Sequence, residues 1–207
     1  MANADMNRLM DNARIRLPGA LDGTIQLELF SLLNDFFQNS NIWTEDIPIS
    51  VSPTTENAYT NPDAYTYEAV PTLGVINRLL YVLDSDGNPV GASMAIPGFM
   101  LLDMSPASAT TYIFRVALTV TDPTTRDGYP EFPAWVMNKY GNDILDGLLA
   151  RMMSQPAKPY SAQTLAMYHA KRWQQAVSQA KVEAQHKNIY RGQSWRFPRG
   201  FARRRIR

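Results

Sequence analysis

Two prolines three residues apart, Pro156 and Pro159, interrupt what would otherwise be one helical pattern running from Tyr129 to about Gln185. Proline lacks an amide hydrogen and drives the preceding residue out of the helical region, so the pair ends one helix and extends the chain before the next. Upstream, Val136, Tyr140, Ile144, Leu148 and Met152 recur in steps of four, which places them on one face of a helix over residues 134–155. Downstream, Leu165, His169, Trp173, Ala176 or Val177, Ala180 and Ala184 form a second stripe over residues 161–186, opposite Gln174, Gln175, Ser178, Gln179, Lys181 and Gln185. Ser161 stands where its hydroxyl would cap that second helix. The expected product is an amphipathic helix hairpin. Gly141 and Gly147 lie inside its first helix, where each costs about 1 kcal/mol relative to alanine. Their expected use is to let another helix approach closely.

The remainder alternates between helical and extended patterns. Arg8, Arg14 and Arg16 are mixed with Met6, Leu9, Met10 and Ile15 in a short arm or helix. Asp22 is placed to cap a helix over residues 22–38 whose apolar stripe is Ile25, Leu29, Leu32, Leu33, Phe36 and Phe37. A β region follows over residues 47–121. It has a short strand at Ile47 to Val51, another at Tyr65 to Glu68, and a hairpin from Val75 to Leu83 through Gly87 to Val90 and beyond. Pro97 to Met104 reads as irregular, with Pro97-Gly98 and Ser105-Pro106 as breakers, and Ala109 to Thr121 carries the clearest alternation, with Tyr112, Phe114, Val116, Leu118 and Val120 on one side. The expectation is an α+β chain: a helical bundle with long C-terminal helices, one small antiparallel β-sheet and an extended basic tail.

Charge divides the chain. Over residues 187–207 there are eight Lys or Arg and no acid, which leaves twelve bases and all nineteen acids to residues 1–186, a net charge of −7. Tyr190, Trp195, Phe197 and Phe201 are interleaved with the tail arginines. Such a segment can dock on an acidic protein surface, bind nucleic acid through phosphates and stacking, or remain a solvated end.

Catalytic and metal chemistry find no footing in the residues. The chain has no cysteine, so disulfides, thiolate metal sites and thiol nucleophiles are excluded. Asp84, Asp86 and Asn88 share the early spacing of a calcium loop, but Pro89 replaces its glycine and no closing glutamate follows, so a hairpin turn is the better reading. His169 and His186 are too many helical turns apart to share a metal, and His169 falls on the apolar stripe as a packing histidine. No phosphate-cradling glycine motif follows a strand. No cofactor is expected. No apolar run approaches the ~20 residues of a membrane span, so the sequence predicts a soluble chain.

One family shares several of these stretches. Phe132-Pro133-Ala134-Trp135, the Ile144 to Met153 run, Gln155-Pro156-Ala157-Lys158-Pro159-Tyr160-Ser161 and the helix from Leu165 resemble the head-to-tail adaptor proteins of short-tailed phages, the group that includes tail tubular protein A. Leu21 to Phe37, Trp43 to Ile47 and Arg115 to Leu118 fit the same order, so the likeness covers about Leu21 to Gln185. The resemblance implies a non-enzymatic virion protein, assembled in the host cytoplasm. It would form a ring, commonly of twelve copies, that joins the portal to the tail nozzle with genomic DNA passing through the lumen. On this reading residues 1–186 are the adaptor domain, and Gly141, Gly147, Leu165, His169 and Trp173 are candidate contacts between subunits. Residues 187–207 then dock on the portal through Arg191, Trp195, Arg196, Phe197, Arg199, Phe201, Arg203, Arg204 and Arg205. The alternatives are a nucleic-acid-binding protein, or another capsid-assembly or tail-completion factor, using the same tail.

Overall fold

The computed structural model describes residues 5–53, 66–103, 106–121 and 128–188. Among these residues four helices, α1 (Asn7–Arg16), α2 (Asp22–Ser40), α3 (Ala134–Met153) and α4 (Gln163–Asn188), enclose the β region in sequence. Its strands are β1 (Thr44–Val51), β2 (Thr66–Glu68), β3 (Val75–Leu83), β4 (Pro89–Val90), β5 (Ala92–Ile96), β6 (Phe99–Leu102) and β7 (Thr110–Thr119). The fold is therefore α+β.

The helices pack as the stripes require. Val136, Tyr140, Ile144, Leu148 and Met152 of α3 are all buried, as are Ile25, Leu29, Leu32, Leu33, Phe36 and Phe37 of α2. An aromatic cluster joins three helices: the Phe36 ring lies 5.4 Å from both Tyr140 and Trp173, each in a tilted arrangement. Beside it Gly147 lets α4 close on α3, because a Cβ there would stand 2.7 Å from Trp173 Cδ2 and 2.9 Å from Leu32 Cδ1. The short first helix also joins the core, burying Met6, Leu9, Met10, Ala13 and Leu17 while Ile15 stays exposed.

The strands form two antiparallel sheets where the sequence suggested one. The first has the order β1-β7-β3-β4, with β7 central; the second has the order β2-β6-β5. Tyr112, Phe114, Val116, Leu118 and Val120 are buried on the face of the first sheet that meets α2. Asn34 of α2 accepts a hydrogen bond from the Thr119 hydroxyl at 2.7 Å. The second sheet meets the first where β5 lies beside β3. Its middle strand, β6, falls in the stretch read as irregular. Pro97-Gly98 is not a break but a two-residue turn, made possible by Gly98 at φ 89°, and it pairs Ile96 with Phe99. At the other hairpin Gly87 takes φ 83°, and Asp84 Oδ1 accepts the amides of Asp86 at 2.9 Å and Asn88 at 2.7 Å, an Asx turn.

Both expected helix caps are displaced. Asp22 is the first residue of α2 and follows the N-cap Leu21, and its carboxylate receives Arg14 Nε and Nη2, each at 2.9 Å. That hydrogen-bonded pair holds the Asp22 carboxyl below its usual range. Ser161 lies two residues before α4 begins. Its hydroxyl accepts the Lys158 amide at 2.9 Å and donates to the Gln155 carbonyl, closing the loop between α3 and α4 rather than starting the helix. Ala157 sits in that loop at φ 59°.

Alanine favours helix over glycine by about 1 kcal/mol, whereas overpacking a full interior costs about 1–3 kcal/mol. At Gly147 the contacts are side chains locked in the core, so we expect Gly147→Ala to lower stability in a urea titration despite the gain in helix propensity. A more stable variant would contradict the close packing of α3 on α4.

Candidate docking and assembly surfaces

The residues expected to contact neighbouring subunits separate into two groups. Gly147, His169 and Trp173 face the interior of their own bundle, with His169 only 8% exposed and Gly147 occupied by Trp173 and Leu32. Gly147 and His169 are buried within one chain, and Trp173 packs there with part of its ring still exposed. Leu165 is 52% exposed, off the buried row that begins instead at Ala166 and runs through His169, Trp173, Ala176, Ala180 and Ala184. Gly141 is at the surface, lining a cavity of about 420 Å³ with Asp5, Arg8, Asn12 and Asn138. Of the five residues, Leu165 is exposed, Gly141 and Trp173 are half-buried, and Gly147 and His169 are buried.

His169 reveals a polar contact that the stripe did not foretell. Its Nδ1 lies 2.7 Å from Asp146 Oδ1 on α3, and Arg172 Nε lies 3.0 Å from Asp146 Oδ2, close enough for an ion pair though not aligned as a hydrogen bond. Asp146 is 4% exposed, and a buried carboxylate requires such partners. One turn earlier, Asp143 has its carboxyl raised above the ordinary value, first by burial and then by the Asp146 charge. The sequence did carry a sign of this arrangement: Asp146 is an acid inside the otherwise apolar run Ile144 to Ala150, all of it buried.

The far end of α4 is fixed by a second cluster. Glu183 accepts from the Tyr140 hydroxyl at 2.8 Å and pairs with Lys139 on α3 and, at 2.6 Å, with Lys187 one turn on. Lys187 Nζ also lies 5.3 Å from the centre of the Trp135 ring. Lys187, counted with the tail in the sequence, therefore makes contacts with the body. The same contacts push the Glu183 carboxyl down from 4.5 to about 2, chiefly through hydrogen bonds from Lys139, Lys187 and Tyr140. Burial and the bond to Glu183 together hold the Tyr140 phenol well above its ordinary value.

Charge is sorted along this frame. Residues 17–114 contain eleven acids and a single base, Arg78, whereas α4 carries Lys171, Arg172, Lys181 and Lys187 against Glu183 alone. The basic character of the tail thus begins on the helix that leads to it. The nine tail residues singled out for docking, Arg191 to Arg205, lie outside the described residues. Among the described residues no three His, Asp or Glu side chains are grouped to hold a metal, and no helix is long and apolar enough to cross a membrane. Neither a family model nor a curated protein sequence matches the chain.

A depressed folded-state pKa means that the unfolded chain binds the proton first as pH falls. The stability contributed by Glu183 is then complete above about pH 4.5 and lost progressively toward pH 2. Comparing wild type with Glu183→Gln by chemical denaturation across that window should show the wild type losing up to about 1.4 kcal/mol per pH unit more than the variant. Parallel pH profiles would contradict the Glu183 cluster.

Proposed function

We propose that this chain is a structural head-to-tail adaptor of a short-tailed phage virion, without catalytic activity. The observation that carries the reading is the join at the end of α4. A helix hairpin, whose sequence resembles that of the adaptor family, is clamped at Glu183 and is followed in sequence by seven arginines interleaved with aromatic residues. Such a tail suits attachment to a partner formed separately, since arginine and aromatic anchors supply affinity and an extended segment orders on docking. In this proposal Arg191, Trp195, Arg196, Phe197, Arg199, Phe201, Arg203, Arg204 and Arg205 seat on the portal. The β region meets the tail nozzle. Copies of the body close into a ring, commonly of twelve, through which genomic DNA passes. Assembly takes place in the host cytoplasm.

The eight basic residues of 187–207 also support a second reading, binding to nucleic acid. The two readings differ in their response to salt and to partner. Docking on a portal requires the portal surface, whereas phosphate binding persists on any DNA and weakens steeply as salt rises.

Removing residues 189–207 leaves every described contact of α4 intact, so the truncated chain should still fold and unfold in one cooperative transition. It should nevertheless fail to add to portal-bearing capsids, as judged by co-sedimentation. Normal addition of the truncated chain would overturn the assignment of the tail to the portal, and salt-sensitive DNA binding lost on truncation would favour the second reading.

A further inference from the structure

Two exposed patches of opposite character lie on different halves of the chain. The first is at the tip of the three-stranded sheet. Cross-strand neighbours project to the same side of a sheet, so the pairings Glu68 with Phe99 and Ile96 with Phe99 set these three side chains on one face. Met100 and Leu102 take the buried face. Ile96 is 58% exposed and Phe99 37%, with Val70 beside them at 70%, held close by the bond from the Ala69 amide to the Gly98 carbonyl at 2.8 Å. The patch is apolar with an exposed carboxylate, in a region where no base occurs between Arg78 and Arg115.

The second patch is the outward face of the first half of α4. Leu165, Tyr168 and Arg172 follow at helical spacing, with Met167 and Lys171 alongside. Leu165 is 52% exposed, Met167 67% and Tyr168 56%, and no acid lies among the exposed residues of this half of the helix. Arg172 supports the Tyr168 ring at 5.8 Å while reaching back to Asp146. This patch is apolar with exposed cations.

We propose that the β5–β6 tip of one copy seats on the outward face of α4 of the next copy, Ile96, Phe99 and Val70 against Leu165, Met167 and Tyr168, with Glu68 facing Lys171. The occupant is a second copy because both patches present exposed apolar side chains and their charges are opposite, Glu68 on one and Lys171 on the other. Two different patches of one chain make a heterologous contact, the kind that generates rings when the rotation closes. A handful of side chains is well below the ~20 residues a side of a stable pair, so one contact is weak. Closure, which holds each subunit from both sides, makes it persist. The inference rests on the ring of the proposed adaptor and turns from the buried Gly147 and His169 to residues able to touch a neighbour.

The chain has no cysteine, so single thiols can be placed without background. Full-length Ile96→Cys and Leu165→Cys chains, mixed at high concentration and treated with a short bismaleimide, should give cross-linked heterodimers several-fold above a mixture of Ile113→Cys with Leu165→Cys. Ile113 is exposed at 38% but lies outside both patches. Introducing Glu68→Lys on one partner or Lys171→Glu on the other should each lower that yield by up to about fivefold, and the two together should restore it. Yields equal to those of the Ile113 mixture, or a double variant no better than the single ones, would overturn the contact. Rings added to portal-bearing capsids without Ile96 to Leu165 enrichment would sink this interface and leave the adaptor reading standing. Enriched cross-links without any addition to portals would do the reverse.

Discussion

The close approach of α4 to α3 at Gly147 governs the architecture. Because that position has no Cβ, the Trp173 ring can lie against the α3 backbone, and Phe36 and Tyr140 complete an aromatic cluster that ties α2 to both helices. A single turn of α3 thus presents a contact face at Gly147 and a buried carboxylate at Asp146, which meets His169 and Arg172. The first sets the distance between the helices and the second sets their register, since a buried acid shifted by one residue would lose its partners. Glu183 repeats the fastening at the other end through Lys139 and Tyr140. α4 is thus fastened to α3 at two levels along its length.

Charge and packing act on different scales in this chain. Packing acts between single faces and joins elements far apart in the chain, α1 with α3 and α2 with both α3 and α4. Charge is sorted over whole segments, with residues 17–114 strongly acidic and the last helix and tail basic. Most acids near the helices are answered within the body: Asp22 by Arg14, Asp35 and Glu28 by Arg151, and Asp46 by Arg115. Exposed pairs of this kind add little stability, with a median of about 0–1 kcal/mol each. The acids on the small sheet and the cations on the outward face of α4 have more to offer a partner than the body itself.

Much of this was legible in the sequence because proline and apolar periodicity act locally. Pro133, Pro156 and Pro159 bound α3 and the loop after it, and the alternation of β7 reports a strand with one covered face. The failures came from competition that a linear reading cannot weigh. Asp22 has the chemistry of a cap, but Arg14, eight residues earlier in the chain, claims its carboxylate. Ser161 could have capped α4, yet the open carbonyl at Gln155 was nearer. Leu165 was assigned to the buried face by stepping back four residues from His169. With 3.6 residues per turn a step of three serves as well, and the buried row begins at Ala166. Pro97-Gly98 looked like an ending because both residues break strands, although the same pair can turn one strand into the next.

The adaptor reading and the geometry of α4 meet in one physical expectation: the body must close on itself beneath a portal, with the end of α4 directed at it. Electron-microscope class averages of portal rings incubated with the full-length chain, labelled at its C-terminus, test this in one view. The account predicts an added ring with rotational symmetry about the portal axis and the label at the junction between the two rings. Bare portals at saturating chain, or a ring whose label faces away from the portal, would contradict it.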